Sequence, residues 1–346
     1  MKNLQKLRLL LVLFLAIAMI QSCVKDDVLT DTVVPTANNP ETESTDTQPE
    51  TPNTDTTNSD DDSNNSPDSD GGEGEITLYR VDGENLIKEK DFNVTGKELD
   101  FQKDTAKHQE VWALTKKIIP ASYLAKMSRF MIFAGENNGT AGYVYDTAQD
   151  LSEWEMGIAI DFAYPSGVFN GDGELAYTII HEFGHILTLD NTQVDASISE
   201  NDCSNYFTGE GCAKKEAYIN KLQTRFWADI ADEHSKLGED YDKQDAFYTK
   251  YQDRFVTGYA STNPGEDIAE VFATFVTRNG GVNGSSIAEQ KIQLMYDHSE
   301  LIGLRDFIRG NSATAKGKRM LPIAGAWKKA KTFGNPKHTN CVRRSK

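Results

Sequence analysis

Apolar residues are spread unevenly along the 346-residue chain. An unbroken apolar run covers residues 9–20, residues 28–75 hold almost nothing apolar, and patterned hydrophobicity begins at Ile76. Ile76-Thr-Leu-Tyr-Arg-Val-Asp-Gly-Glu-Asn alternates and then breaks at Asp-Gly, which predicts a strand and a turn. Residues 104–119 carry Val111, Trp112, Leu114 and Ile118 at helical spacing, and Pro120 ends the pattern. Strand-like runs at 129–134, 140–145 and 157–162 follow, separated by Gly, Asn and Asp. Asn170-Gly-Asp-Gly-Glu174 then introduces an apolar helix around residues 177–187, with Asp172 as its N-cap candidate. The next stretch is more polar and predicts helices at 213–234 and 242–255. In the last strong pattern Thr262 or Asn263 caps, Pro264 fits a first turn, and Ile268, Val271, Phe272 and Phe275 form an apolar side. A helix, a sheet and then helices is an α+β order, with a small sheet ahead of a mainly helical C-terminal part.

Composition divides the same chain into four segments. Residues 1–22, with Lys2, Lys6 and Arg8 before the apolar run, read as an export signal, and that run is too short to span a bilayer comfortably. Ile20-Gln21-Ser22-Cys23 resembles a bacterial lipobox, which implies a lipid on Cys23 as the membrane attachment. Val24-Lys25-Asp26-Asp27 resembles the acidic signal that sends Gram-negative lipoproteins to the exterior of the outer membrane; the periplasmic face is the alternative. Residues 23–75 are an acidic segment, from residue 28 on mostly Thr, Asp, Asn, Ser, Pro and Glu. Such a segment buries too little to offset its ordering entropy, so a disordered, self-repelling tether is expected. Residues 76–310 are the folded domain, and 311–346, with ten basic residues and no acids, are a basic tail expected to be disordered. The formal net charge of −17 resides in the tether and the domain, which argues against nucleic acid as a partner.

Candidate chemistry is concentrated in Tyr177-Thr178-Ile179-Ile180-His181-Glu182-Phe183-Gly184-His185-Ile186-Leu187. Residues four apart share a helix face, so His181 and His185 aim two imidazoles at one point. That pair suits Zn2+, and Glu182 is placed to reach a water on the metal. Catalytic zinc takes three protein ligands and keeps a fourth position for water. Positions 188 and 191 are Thr188 and Asn191, which excludes a third histidine in the metzincin arrangement. A glutamate on a later helix remains: Glu266, with Glu270 as its nearest rival and Glu200 and Glu233 in reserve. Cys203 and Cys212 lie in a Gly-, Asn- and Ser-rich loop, as a disulfide in an oxidising compartment or as two free thiols.

His181-Glu182-Phe183-Gly184-His185 together with Tyr259-x6-Glu266-x2-Ala269-Glu270-x-Phe272 resembles the catalytic motifs of the gluzincin peptidases typified by anthrax-toxin lethal factor. With the leader and tether, it resembles the zinc metallopeptidase lipoproteins associated with substrate import in Gram-negative bacteria. The resemblance implies a zincin-like domain over residues 76–310, its small mixed sheet packed on the H-E-x-x-H helix. It also implies Glu266 as the third ligand, Tyr259 as donor to the oxyanion, and Glu270 behind a ligating histidine. The expected function is hydrolysis of peptide bonds in peptide or protein substrates. The alternative is a binding or assembly lipoprotein, partnering outer-membrane import proteins through a vestigial or structural metal site. An amidase acting on non-peptide conjugates is a third reading. Along the domain, residues 157–162 are either an edge strand on which an extended peptide pairs or a plain core strand.

Overall fold

A turn that only a permissive residue makes cheaply opens the domain: Gly83, at φ +61°, reverses β1 (Glu75–Asp82) into β2 (Asn85–Asp91). The computed structural model describes residues 74–312 except Asn138, Asp172 and Glu239. The expected export signal, Cys23, the tether up to residue 73, the tail from residue 313 and the Asp172 cap lie outside the described residues, while Glu75, expected in the tether, opens β1 and Asn311, expected in the tail, ends the last helix. After the hairpin come α1 (Gly96–Lys103) and α2 (Thr105–Ile118), the latter capped by Asp104, whose side chain accepts from the Lys107 N–H. Strands β3 (Met127–Phe133), β4 (Gly142–Asp146) and β5 (Trp154–Ala159) complete a five-stranded sheet in the order β2-β1-β3-β5-β4. β3 and β5 run parallel and the other pairings are antiparallel, so the sheet is mixed.

The register corrects one expectation. The strand expected at 157–162 is β5, three residues earlier at its start, and it is central, paired to β3 on one side and β4 on the other. From Ile160 the chain turns into a short helix, Ile160–Ala163, so Phe162 is not in the sheet. The terminal strand on this side is β4. Ala159 N–H donates to Ala141 O and Thr147 N–H to Glu153 O, so odd-numbered residues of β4 face β5. The alternation then turns the N–H and C=O of Gly142 and Val144 to the outer edge.

Helix α3 (Glu174–Leu189) starts after Gly173 with no side-chain cap and is buried from Leu175 to Leu189. It shares one core cluster with Phe130, Ile132, Met156 and Ile158 of the sheet and with Ile268, Val271, Phe272 and Phe275. Each such side chain contributes roughly 1.5–3 kcal/mol when fully buried. A helix buried on every side belongs inside a fold, and α3 is enclosed accordingly.

Beyond α3 the chain pairs Val194–Asp195 with Cys212–Ala213, and a disulfide joins Cys203 to Cys212 across a separation of nine. The helix expected at 213–234 is shorter than its pattern suggested. Ala213 is held in that two-stranded ladder, so α4 is Tyr218–Phe226, and Ala231–His234 forms a separate turn. Helices α5 (Tyr241–Tyr251), α6 (Pro264–Thr277), α7 (Ile287–Tyr296) and α8 (Ser299–Asn311) follow. The architecture is α+β, a small mixed sheet with a helical C-terminal part. Among the described residues no helix is long and apolar enough to cross a membrane.

Candidate metal centre

Asn263 places the site's distal half. Its side chain accepts from the N–H groups of Gly265 and Glu266, both at 2.9 Å, and Pro264 occupies the first turn, so α6 begins where Glu266 is needed. α6 then crosses α3 at close range. A Cβ on Gly184 would lie 3.2 Å from Ala269 Cα and 3.3 Å from a Phe272 ring carbon. Gly184 is flanked by His181 and His185, and Ala269 by Glu266 and Glu270. The small-residue crossing therefore brings the two polar sets together.

His181 Nε2 lies 3.1 Å from His185 Nε2 and 3.1 Å from Glu266 Oε2, and His185 Nε2 lies 3.5 Å from that same oxygen. All three residues are buried. Donor atoms about 2.1 Å from a tetrahedral cation stand about 3.4 Å from one another, so this triangle has the dimensions of one face of such a site. Its chemistry points the same way: two imidazole nitrogens and a carboxylate oxygen converge in a buried place, an arrangement that is costly without a compensating partner. Burial opposes a charge on His181, yet the Glu266 and Glu270 carboxylates outweigh it and raise that imidazole well above its ordinary pKa. Burial likewise opposes the Glu266 carboxylate, and the His185 and His181 imidazoles outweigh it, lowering Glu266 to about 2. His181, His185 and Glu266 are a group that can hold a metal ion.

Glu270 stands behind the group. Its Oε1 is 2.8 Å from His181 Nδ1, on the far side of the ring from the converging nitrogens, and its Oε2 accepts from the Tyr177 hydroxyl at 3.0 Å. The rival assignment of Glu270 as ligand therefore has no support in the geometry. The reserve acids are engaged elsewhere: Glu233 accepts from Lys250 and Tyr251, and Glu200 lies exposed in a 3-10 turn.

Glu182 faces the sheet edge. A Cβ on Gly142 would meet Thr178 Cγ2 at 2.7 Å and Glu182 Oε1 at 3.2 Å, so only glycine lets β4 come this close. Burial raises the Glu182 pKa from its ordinary value. Tyr259, in the turn Tyr259–Ser261, stacks obliquely on His181 with ring centroids 5.7 Å apart. Burial, the Glu266 and Glu182 charges and a hydrogen bond to Glu266 raise its phenol well above 10, which keeps it a proton donor at neutral pH.

Sequence reasoning gave no role to Tyr177, Gly142 or the Asp267–Lys291 pair beside Glu266. Tyr177 was open to inference, since it precedes His181 by four residues and shares its face. The others depend on which distant elements meet. The chain matches no protein-family model, no curated protein and no solved structure.

Proposed function

We propose that the chain is a zinc-dependent peptidase of the zincin class, exported and held at the outer membrane through a lipid on Cys23, with its domain facing the exterior. The observation that carries this reading is the convergence of His181, His185 and Glu266 at 3.1–3.5 Å, with Glu182 and Tyr259 against the same point. Among the described residues the group has three members, the number a catalytic zinc takes, whereas a structural zinc is closed by four. The Cys203–Cys212 disulfide fits an exported chain in an oxidising compartment.

His181, His185 and Glu266 would hold the zinc, which when bound would supply Lewis acidity to a scissile carbonyl and to a water. Glu182 accepts the proton of the attacking water and delivers it to the leaving amine; its burial, which raises its pKa, suits both transfers. Tyr259 donates its hydroxyl to the developing oxyanion, a contribution of about 3 kcal/mol for one well-placed donor. The outward N–H and C=O of Gly142 pair with an extended peptide and set its carbonyl beside Glu182.

Changing Glu182→Gln is expected to leave zinc content unchanged and to reduce cleavage of a peptide library by roughly 10²–10⁴-fold. Normal cleavage by that variant defeats the assignment of the base. A wild-type chain that binds zinc but cleaves no peptide leaves the second reading, an assembly partner of outer-membrane import proteins.

A further inference from the structure

Four polar groups on two helices form a continuous chain behind the metal-binding group. On α6, Glu270 and Thr274 are one turn apart; on α3, so are Tyr177 and His181. The Tyr177 hydroxyl donates to Glu270 Oε2 at 3.0 Å and is also bonded by the Thr274 side chain. Glu270 Oε1 is 2.8 Å from His181 Nδ1. Tyr177 and Glu270 are both buried, at 5% and 0% exposure, so water does not compete for these bonds.

Each oxygen of Glu270 thus has one partner, and the two partners come from the same face of α3. A carboxylate held at one oxygen alone turns about its last side-chain torsion, which is broad and soft. Held at both, it has one orientation, in which Oε1 accepts from Nδ1–H of His181. An imidazole whose Nδ1 carries the proton presents the Nε2 lone pair to the site. Such partners of ligating histidines commonly change metal affinity when altered. His185 has no equivalent: its Nδ1 is buried with no hydrogen-bond partner among the described residues. The burden of orienting the imidazole pair falls on the His181 side.

We propose that Tyr177 is a positioning residue for the metal centre: with Thr274 it clamps Glu270 so that His181 offers Nε2 and Glu270 stays out of the ligand set. This rests on the reading of His181, His185 and Glu266 as zinc ligands. The Tyr177 hydroxyl bonds Glu270, and Glu270 bonds His181, so its effect on the ion position passes through those two side chains.

The test is zinc binding by the full chain, measured by competition with a chromophoric chelator, beside the visible absorption of the cobalt-substituted protein. Tyr177→Phe removes only the hydroxyl. It is expected to weaken zinc binding by roughly tenfold, the lower end of the 10–100-fold range for such partners, and to alter the cobalt bands. Thr274→Val is expected to move both readouts in the same direction by a smaller factor, and it carries the test if Tyr177→Phe fails to fold. A merely structural tyrosine would lower stability and leave the cobalt bands of the folded fraction untouched. Wild-type zinc affinity and cobalt spectrum in the folded variants overturn the proposal while the metal reading stands. A wild-type chain that binds no zinc removes the metal reading itself.

Discussion

Glu266 has a neighbour whose environment is as demanding as its own. Asp267 Oδ2 lies 2.5 Å from Lys291 Nζ with both side chains fully buried, and it also accepts from the Trp227 indole at 2.7 Å. The Lys291 ammonium sits 4.3 Å from the Phe255 ring centroid, a cation–π contact in a desolvated place. Burial raises the Asp267 pKa and lowers that of Lys291, so desolvation works against both charges and each is kept by the other. Breaking such a pair from one side costs more than replacing both members. Lys291→Met is expected to cost about 3–5 kcal/mol in urea denaturation, and Asp267→Asn combined with Lys291→Met to recover much of it. A single-variant cost below about 1 kcal/mol would show that the pair contributes little to fixing the first turn of α6.

The α3–α6 crossing decides whether the two halves of the site meet. With only 3.2–3.3 Å between a Gly184 Cβ and Ala269 or Phe272, a large side chain there must push the helices apart. Gly184→Leu is expected to destabilise the fold by about 1–3 kcal/mol and to weaken zinc binding even in the folded fraction. Undiminished zinc affinity in folded Gly184→Leu would mean that the crossing distance does not set the ligand triangle. Much of this was legible in the residues themselves. The i, i+4 histidines, the Asn263-Pro264 start and the apolar stripe on α6 are local signals, and His181, His185 and Glu266 lie together as that reading requires. What could not be read is what depends on pairing. β5 begins at Trp154 because Trp154, Glu155 and Met156 pair with residues of β3 and β4. Buried on both flanks, its apolar run has no alternation to mark its ends. The helix expected from 213 is shortened by a ladder to Val194 that no periodicity announces.

At the scale of the whole molecule, the fold encloses two neutral imidazoles away from the metal group, and they tie its stability to pH. His108 is fully buried, and its Nε2–H donates to the Phe101 carbonyl at 3.0 Å, which leaves Nδ1 to accept from the Tyr79 hydroxyl at 2.7 Å. Burial lowers its pKa; Lys88 adds to that, and Asp104 and Asp91 oppose it without prevailing. His234, packed edge-on against Trp227 and Phe247, donates Nε2–H to the Thr262 carbonyl at 2.7 Å, and burial lowers its pKa too. Both histidines bind a proton more readily unfolded, where the ordinary pKa is about 6.5. Their contribution is therefore present above about 6.5 and lost as the pH falls below it, by up to roughly 1.4 kcal/mol for each unit of depression. In the metal-free chain Glu182, Asp267 and Glu155, whose pKa values burial raises, bind protons more readily when folded and oppose this loss as the pH falls, so the two histidines are isolated by comparing variants with the wild type. His181 has a raised pKa, so its contribution is complete below about 6.5 and is lost only as the pH rises, adding no slope on the acid side. Glu266, lowered to about 2, contributes stability that is lost only below the ordinary carboxylate range. Between pH 6.5 and 5 the metal-free His108→Gln and His234→Gln chains are each expected to lose less unfolding free energy, or gain more, than the metal-free wild type as the pH falls. A profile that neither variant changes would show that these imidazoles do not contribute to the acid sensitivity of the fold.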